Sequence, residues 1–85
     1  MDLSEVKSVT VLGLGCSSCK KMLKNTEEAC GQLGLPFKPE YVTDAEKIMA
    51  YGCMQMPALA VNGKLVFQGR VLSSKEVTDV IIEKH

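Results

Sequence analysis

The chain has 85 residues, enough for one small domain with a modest core, and no linker, repeat or low-complexity tract divides it. Basic and acidic residues are balanced at ten each, so the net charge of zero offers no electrostatic reason to expect nucleic acid or an anionic membrane as a partner. We therefore expect a single domain over residues 1–85 that binds neither nucleic acid nor membrane. We also expect a monomer.

Residues 1–7 carry acidic side chains where a signal peptide has a basic region, and glycines interrupt the apolar run behind them. No stretch of the sequence is long and apolar enough to predict a membrane span. We expect a protein of the reducing cytoplasm. In that compartment the four cysteines of so small a chain are more often catalytic or metal-binding than joined in structural disulfides.

A Cys-x-x-Cys pair follows the first apolar run. That run, 9–12, predicts a buried strand, and Gly13 and Gly15 allow a sharp turn before a helix begins. Unpaired N–H groups and aligned peptide dipoles at a helix N-terminus favour the thiolate of Cys16, which is the reactive form. Cys19 follows one turn later and can attack a mixed disulfide at Cys16, releasing the substrate. This arrangement is typical of a thiol redox site.

Apolar positions continue beyond Cys19 at steps of three and four residues and predict a helix that ends at Gly31 or Gly34. The apolar face comprises Met22, Leu23, Thr26, Ala29, Cys30 and Leu33. Cys19 belongs to this face and should be the more buried thiol of the pair, whereas Cys16 should be exposed at the helix start and act as the nucleophile. Cys30 is expected to pack in the core as a small hydrophobic side chain.

Residues 35–42 alternate apolar and polar side chains and predict a strand with one covered face. Pro39 cannot donate to a hydrogen-bond ladder, so this strand belongs at an edge of the sheet. The sequence Thr-Asp-Ala-Glu at 43–46 predicts a capping box for a helix of about two turns that ends near Gly52. The core-facing residues of that helix are expected to be Ala45, Ile48 and Met49.

The C-terminal part predicts a hairpin and a last helix. Apolar runs at 58–61 and 65–67 flank Asn62-Gly63, a type I′ turn signature. Ser73, with a glutamate three residues later, predicts a capping box for the helix. Its buried stripe should be Val77, Val80 and Ile81. Parallel strands joined by a right-handed crossover and followed by a hairpin give a βαβαββα order, which predicts an α/β fold with a four-stranded mixed sheet and three helices.

This element order, with Cys-x-x-Cys at the first helix and a Met-Pro pair directly before the third strand, resembles the thioredoxin and glutaredoxin superfamily. More narrowly, the chain resembles the small thioredoxin-like proteins called redox-active disulfide proteins. Four motifs carry that resemblance, Gly-Cys-Ser-Ser-Cys-Lys-Lys at 15–21, Val-Thr-Asp at 42–44, Met-Pro-Ala-Leu at 56–59 and Val-Asn-Gly-Lys at 61–64.

The resemblance implies a thioredoxin-like fold and a thiol-disulfide oxidoreductase that needs no cofactor. Cys16 would be the nucleophile, Cys19 the resolving cysteine and Pro57 a cis-proline. The backbone of Met56 would then hold an extended substrate as a short added strand. The partners would be a protein or small-molecule disulfide and a reductase.

The chain departs from ordinary thioredoxins at several positions. Gly15 stands in place of a tryptophan, Ser17 and Ser18 in place of Gly-Pro, and Thr10 in place of a buried acid. The hydroxyls of Ser17 and Ser18 lie near the sulfur atoms in sequence and should favour the thiolate, hence the reduced form. We therefore expect a less reducing potential than that of an ordinary thioredoxin, above roughly −300 mV.

Other functions also fit the cysteine pair. Cys16 and Cys19 could hold Cu(I) or Zn(II) in a metal-binding module, or the fold could serve as a binding scaffold without turnover. Cys30 and Cys53 do not form the second pair that a closed zinc site needs. Cys53, in the loop before Pro57, has two interpretations, a third reactive thiol or a buried structural side chain.

Overall fold

The computed structural model describes residues 5–15 and 17–84, and within them the chain forms four strands and three helices. The strands are β1 (Val9–Leu12), β2 (Glu40–Val42), β3 (Ala58–Val61) and β4 (Lys64–Gln68). The helices are α1 (Ser17–Gln32), α2 (Ala45–Ala50) and α3 (Ser74–Lys84). The predicted order, βαβαββα, is confirmed.

The strands form a mixed sheet in the order β2-β1-β3-β4. β1 is parallel to β2 and antiparallel to β3, which is in turn antiparallel to β4. The predicted edge position of β2 is confirmed, but the predicted strand over 35–42 is too long because β2 begins only at Glu40. Pro36 and Pro39 have no N–H to donate to the neighbouring strand, so regular pairing starts after the second proline.

The two faces of the sheet carry separate apolar clusters. Val9 and Val11 of β1 lie in the larger one, with buried residues of α1 and α3, while Leu12 packs with Ile48 of α2 on the other side. Cys30 lies in the larger cluster and is buried, as predicted. Side chains alternate along β1, so this strand contributes to both clusters. The two long helices, α1 and α3, pack on one face of the sheet and α2 packs on the other.

α2 differs in detail from the prediction. Its N-cap is Asp44 rather than Thr43, because the Asp44 carboxylate accepts a hydrogen bond from the Glu46 N–H at 2.9 Å. Only Ile48 of the three predicted core residues is buried, while Ala45 and Met49 are exposed. The helix has six residues, so one narrow face reaches the sheet, and Tyr51, three residues after Ile48, supplies the second contact.

The β3–β4 hairpin has the predicted turn, with φ values of 55° at Asn62 and 78° at Gly63. The Asn62 side chain also holds the segment that precedes β1. Its Oδ1 accepts hydrogen bonds from the N–H groups of Lys7 at 2.6 Å and Ser8 at 3.2 Å. Its Nδ2 donates to the Glu5 carbonyl at 2.7 Å. One side chain therefore forms the turn and ties the N-terminal segment to it.

The start of α3 shows the predicted capping box. The Ser73 hydroxyl accepts from the Glu76 N–H and a Glu76 carboxylate oxygen accepts from the Ser73 N–H, each at 3.2 Å. The other carboxylate oxygen accepts from Arg70 Nη2 at 2.9 Å. The pKa of Glu76 is lowered, mainly by the Arg70 hydrogen bond and next by the Ser73 N–H.

Replacing Glu76 with Gln should lower the free energy of unfolding at neutral pH and have less effect in acid. The folded-state pKa of Glu76 lies below its unfolded value, so the charged carboxylate stabilises the fold above the unfolded pKa. That stabilisation is lost as the pH falls through the folded-state pKa. Urea unfolding of both proteins at pH 7, 5 and 3 measures the difference, and a difference that stays constant over this range would contradict the assignment.

Candidate functional site

The described residues of the predicted site lie in the first turn of α1, which follows β1, and in the loop directly before β3. Leu12, at the end of β1, pairs with Ala58, at the start of β3. The residues just beyond them, Gly13 and Pro57, therefore reach the same edge. The Gly13 N–H also donates to the carbonyl of Val42, the last residue of β2, at 3.0 Å. Three strands thus converge at Gly13, three residues before the Cys-x-x-Cys segment in the sequence.

Cys16, the predicted nucleophile, lies outside the described residues, and its role stays a prediction. α1 begins at the next residue, Ser17, so the pair does coincide in sequence with the start of a helix. Ser17 and Ser18 are exposed, in the first turn. Their effect on the sulfur atoms also stays a prediction.

Cys19 is 1% exposed, which confirms the predicted burial of the second thiol. It lies directly against the backbone of Gly13. A Cβ atom on Gly13 would fall 2.6 Å from the Cys19 Cβ and would also overlap the Sγ atom. Only glycine leaves room for this side chain, so the end of β1 packs on the thiol without an intervening side chain.

Cys30 and Cys53 have different surroundings. Burial raises the pKa of the Cys30 thiol, and the carboxylate of Glu27 raises it further, so Cys30 favours its neutral form. Cys53 is half-buried, and its Sγ donates a hydrogen bond to the Gln55 carbonyl at 3.0 Å. Its two interpretations, a reactive thiol and a structural one, both stay open.

The peptide bond between Met56 and Pro57 is cis, as the resemblance implied. Pro57 is buried, whereas the Met56 side chain is 40% exposed. Met56 therefore lies at the surface, at the same end of the sheet as Gly13 and Cys19. Its role in binding an extended substrate stays a prediction.

The segment before Pro57 is bound by the end of β4. The side-chain oxygen of Gln68 accepts hydrogen bonds from the N–H groups of Met54 at 2.8 Å and Gln55 at 3.1 Å. The Gly69 N–H donates to the Pro57 carbonyl at 3.1 Å. Sequence reasoning missed Gln68, because a glutamine at a strand end gives no indication of which amides it will bind.

Among residues 5–15 and 17–84, no group of three or more His, Cys, Asp or Glu side chains is placed to hold a metal ion. In the same part of the chain, no helix is long and apolar enough to cross a membrane.

Residues 7–82 match the model of a known protein family, the thioredoxin domain. The chain belongs to the thioredoxin family. A thioredoxin of Methanothermobacter thermautotrophicus is 33% identical over 73 residues, a match that covers 86% of this chain and 95% of the relative. The suspected family and the thioredoxin-like fold are therefore confirmed. The relationship also supports a thiol-disulfide oxidoreductase role in general terms.

The family match spans all four described strands and both loops that meet at the candidate site. Within this thioredoxin-family chain, the two sides of the site are held differently. Cys19 is held by tight packing against Gly13. The segment leading to Pro57 is held by hydrogen bonds that the Gln68 side chain accepts and the Gly69 N–H donates.

Replacing Gly13 with Ala should displace Cys19. The added methyl group would overlap the thiol side chain, so we expect a loss of about 1–3 kcal/mol in the free energy of unfolding. The buried thiol should also react faster with an alkylating reagent. Urea unfolding and alkylation rates followed by peptide mass measure the two effects.

Gly31→Ala is the matched control, because Gly31 lies in α1 and a Cβ there meets no atom within 4 Å. That substitution should stabilise the protein by about 0.4–1 kcal/mol and leave the reactivity of Cys19 unchanged. Equal effects of the two substitutions on stability and on alkylation would contradict the packing role of Gly13.

Proposed function

We propose that this protein is a single-domain thiol-disulfide oxidoreductase that uses Cys16 and Cys19 as a dithiol/disulfide couple. Family membership supports the reaction class. The observation that carries the assignment is the asymmetry of the first helical turn, in which Ser17 and Ser18 are exposed and Cys19 is buried. A buried second thiol is poorly accessible to external disulfides but can attack a disulfide formed one turn earlier.

In the proposed reaction, the Cys16 thiolate attacks one sulfur of a substrate disulfide. The substrate S–S bond breaks, and the departing sulfur leaves as a thiolate that takes a proton from solvent. Cys19 then loses its proton and attacks Cys16 Sγ, forming the Cys16–Cys19 disulfide and releasing the second substrate thiol. Two electrons pass from the pair to the substrate, and a reductase returns two electrons to the pair.

The substrate would lie along Met56. In a partner bound as an extended strand, backbone groups would pair with those of Met56, beside the buried Pro57. The exposed side chains of Met54 and Met56 offer flexible apolar contacts around that strand. We therefore propose protein disulfides as the main substrate class.

The proposal includes a monomer that works in the reducing cytoplasm without a cofactor. Cys30 and Cys53 are free thiols in the structure, which suits a reducing compartment.

A redox titration of the metal-free protein tests the couple, with free thiols alkylated and counted by mass at each potential. One two-thiol step should appear, map to Cys16 and Cys19, and have a midpoint above roughly −300 mV. Cys16→Ser and Cys19→Ser should abolish the step, whereas the control Cys53→Ser should retain it.

An absent step would contradict the proposal. If alkylation of Cys16 and Cys19 were then blocked only after Cu(I) or Zn(II) is added, the pair would belong to a metal-binding module instead. A midpoint below roughly −300 mV would contradict the predicted effect of Ser17 and Ser18 while leaving the couple in place.

Cys19→Ser should trap the intermediate. Without the second thiol, a mixed disulfide between Cys16 and a small aromatic disulfide such as 5,5′-dithiobis(2-nitrobenzoate) has no internal attacker, so it should accumulate. Mass spectrometry of the unreduced protein should find this adduct on Cys16, while the protein with both thiols should form the internal disulfide. Cys19→Ser protein that carries no lasting adduct on Cys16 would argue against the assigned order of attack.

A further inference from the structure

The three residues directly before Pro57, 54–56, are exposed and have little buried apolar surface to hold their shape. Met54 is 88% exposed, Gln55 is exposed and Met56 is 40% exposed. Segments with so little buried apolar surface open easily unless polar contacts hold them. The conformation of this segment therefore depends on its hydrogen bonds.

Gln68 makes two of these bonds with a single atom. Its Oε1 accepts from the Met54 N–H at 2.8 Å and from the Gln55 N–H at 3.1 Å. An amide oxygen has two lone pairs, so both are used in holding consecutive backbone amides. The Gln68 side chain thereby links the end of β4 to a segment 13 and 14 residues earlier in the chain.

Neighbouring contacts hold the same segment from its other sides. The Cys53 thiol donates to the Gln55 carbonyl at 3.0 Å, and the Gly69 N–H donates to the Pro57 carbonyl at 3.1 Å. Gly69 has a φ of 109°, and a Cβ there would fall 2.6 Å from Gln55 Oε1, so its lack of a side chain also leaves room for Gln55. These contacts lie on both sides of Met56 in the sequence.

We propose that Gln68 is a positioning residue that holds the Met54–Gln55 backbone so that Met56 is ready to bind the extended backbone of a protein substrate. The role rests on the proposed function, and Gln68 acts through the segment rather than by touching substrate. Holding a binding segment in its bound shape improves affinity because less freedom is lost on association. A small aromatic disulfide has no peptide backbone to pair with Met56, so its reduction should not depend on Gln68.

Gln68→Leu tests the role by removing the acceptor while keeping a side chain of similar size. With excess dithiothreitol as reductant, the KM for reduction of insulin disulfides should rise roughly 3- to 10-fold at unchanged kcat. The rate at which pre-reduced protein, freed of dithiothreitol, reduces 5,5′-dithiobis(2-nitrobenzoate) should stay within about twofold of that of the unsubstituted protein. The midpoint potential should be unchanged within error. Amide hydrogen exchange at Met54 and Gln55 should be faster.

Two further variants separate positioning from general effects. Gln68→Glu retains an oxygen acceptor and should restore the insulin KM to within about twofold of the unsubstituted value. Gln32→Leu places the same apolar side chain at another exposed glutamine, the last residue of α1, and should change none of these measurements.

An unchanged insulin KM in Gln68→Leu would overturn the inference. An equal loss with both substrates would also overturn it, because Gln68 would then affect the thiols or the whole fold. Failure of the proposed function would look different. Protein without any substitution would reduce neither substrate and show no two-thiol step, and the positioning role would fall with it.

Discussion

The pairing of β1 with β3 is the constraint on which the site depends. Both strands are buried along their whole length and lie at the centre of the sheet. Because the two strands run antiparallel with Leu12 opposite Ala58, the last residue of β1 and the first residue of β3 lie side by side at one end of the sheet. Cys19, which packs on Gly13, and Pro57, 38 positions later in the sequence, are thus both placed at this end of the sheet. A one-residue shift of either strand would move all of its side chains to the opposite face of the sheet.

Different forces hold the two segments at this end of the sheet, the one that follows β1 and the one that precedes β3. The thiol side is held by close packing, since the Gly13 backbone and Cys19 leave no space for even a methyl group. Packing of this kind resists displacement steeply, so it suits a group whose position must not vary. The Pro57 side is held by hydrogen bonds at an exposed surface, which are individually weak. It keeps a preferred shape, but it resists displacement less steeply than the packed thiol does.

Patterns local in sequence predicted the element order, β1, the turn at Asn62 and the cap at Ser73, because each depends on residues within a few positions of one another. The burial of Cys19 followed from helical periodicity in the same way. The errors arose where burial depends on packing against neighbouring elements. Met49, for example, lies outside the narrow face that the six-residue helix α2 turns to the sheet. The hydrogen bonds of Gln68 and Asn62 join positions that no local pattern links. Those of the Asn62 side chain reach residues 54 to 57 positions earlier in the chain.

The burial of the second thiol also determines what the rest of the site must do. If Cys19 can attack only a disulfide formed at its neighbour, each turnover passes through a covalent complex with the partner, and geometry within that complex decides whether resolution follows. Cys19 itself cannot adapt, because Gly13 confines it. The segment ending at Met56 and Pro57, at the same end of the sheet, is held instead by hydrogen bonds to Gln68, the last residue of β4, and to Gly69. In the proposed function, selectivity among substrates would therefore reside in that segment and in its supports, while the cysteine pair would carry out the chemistry.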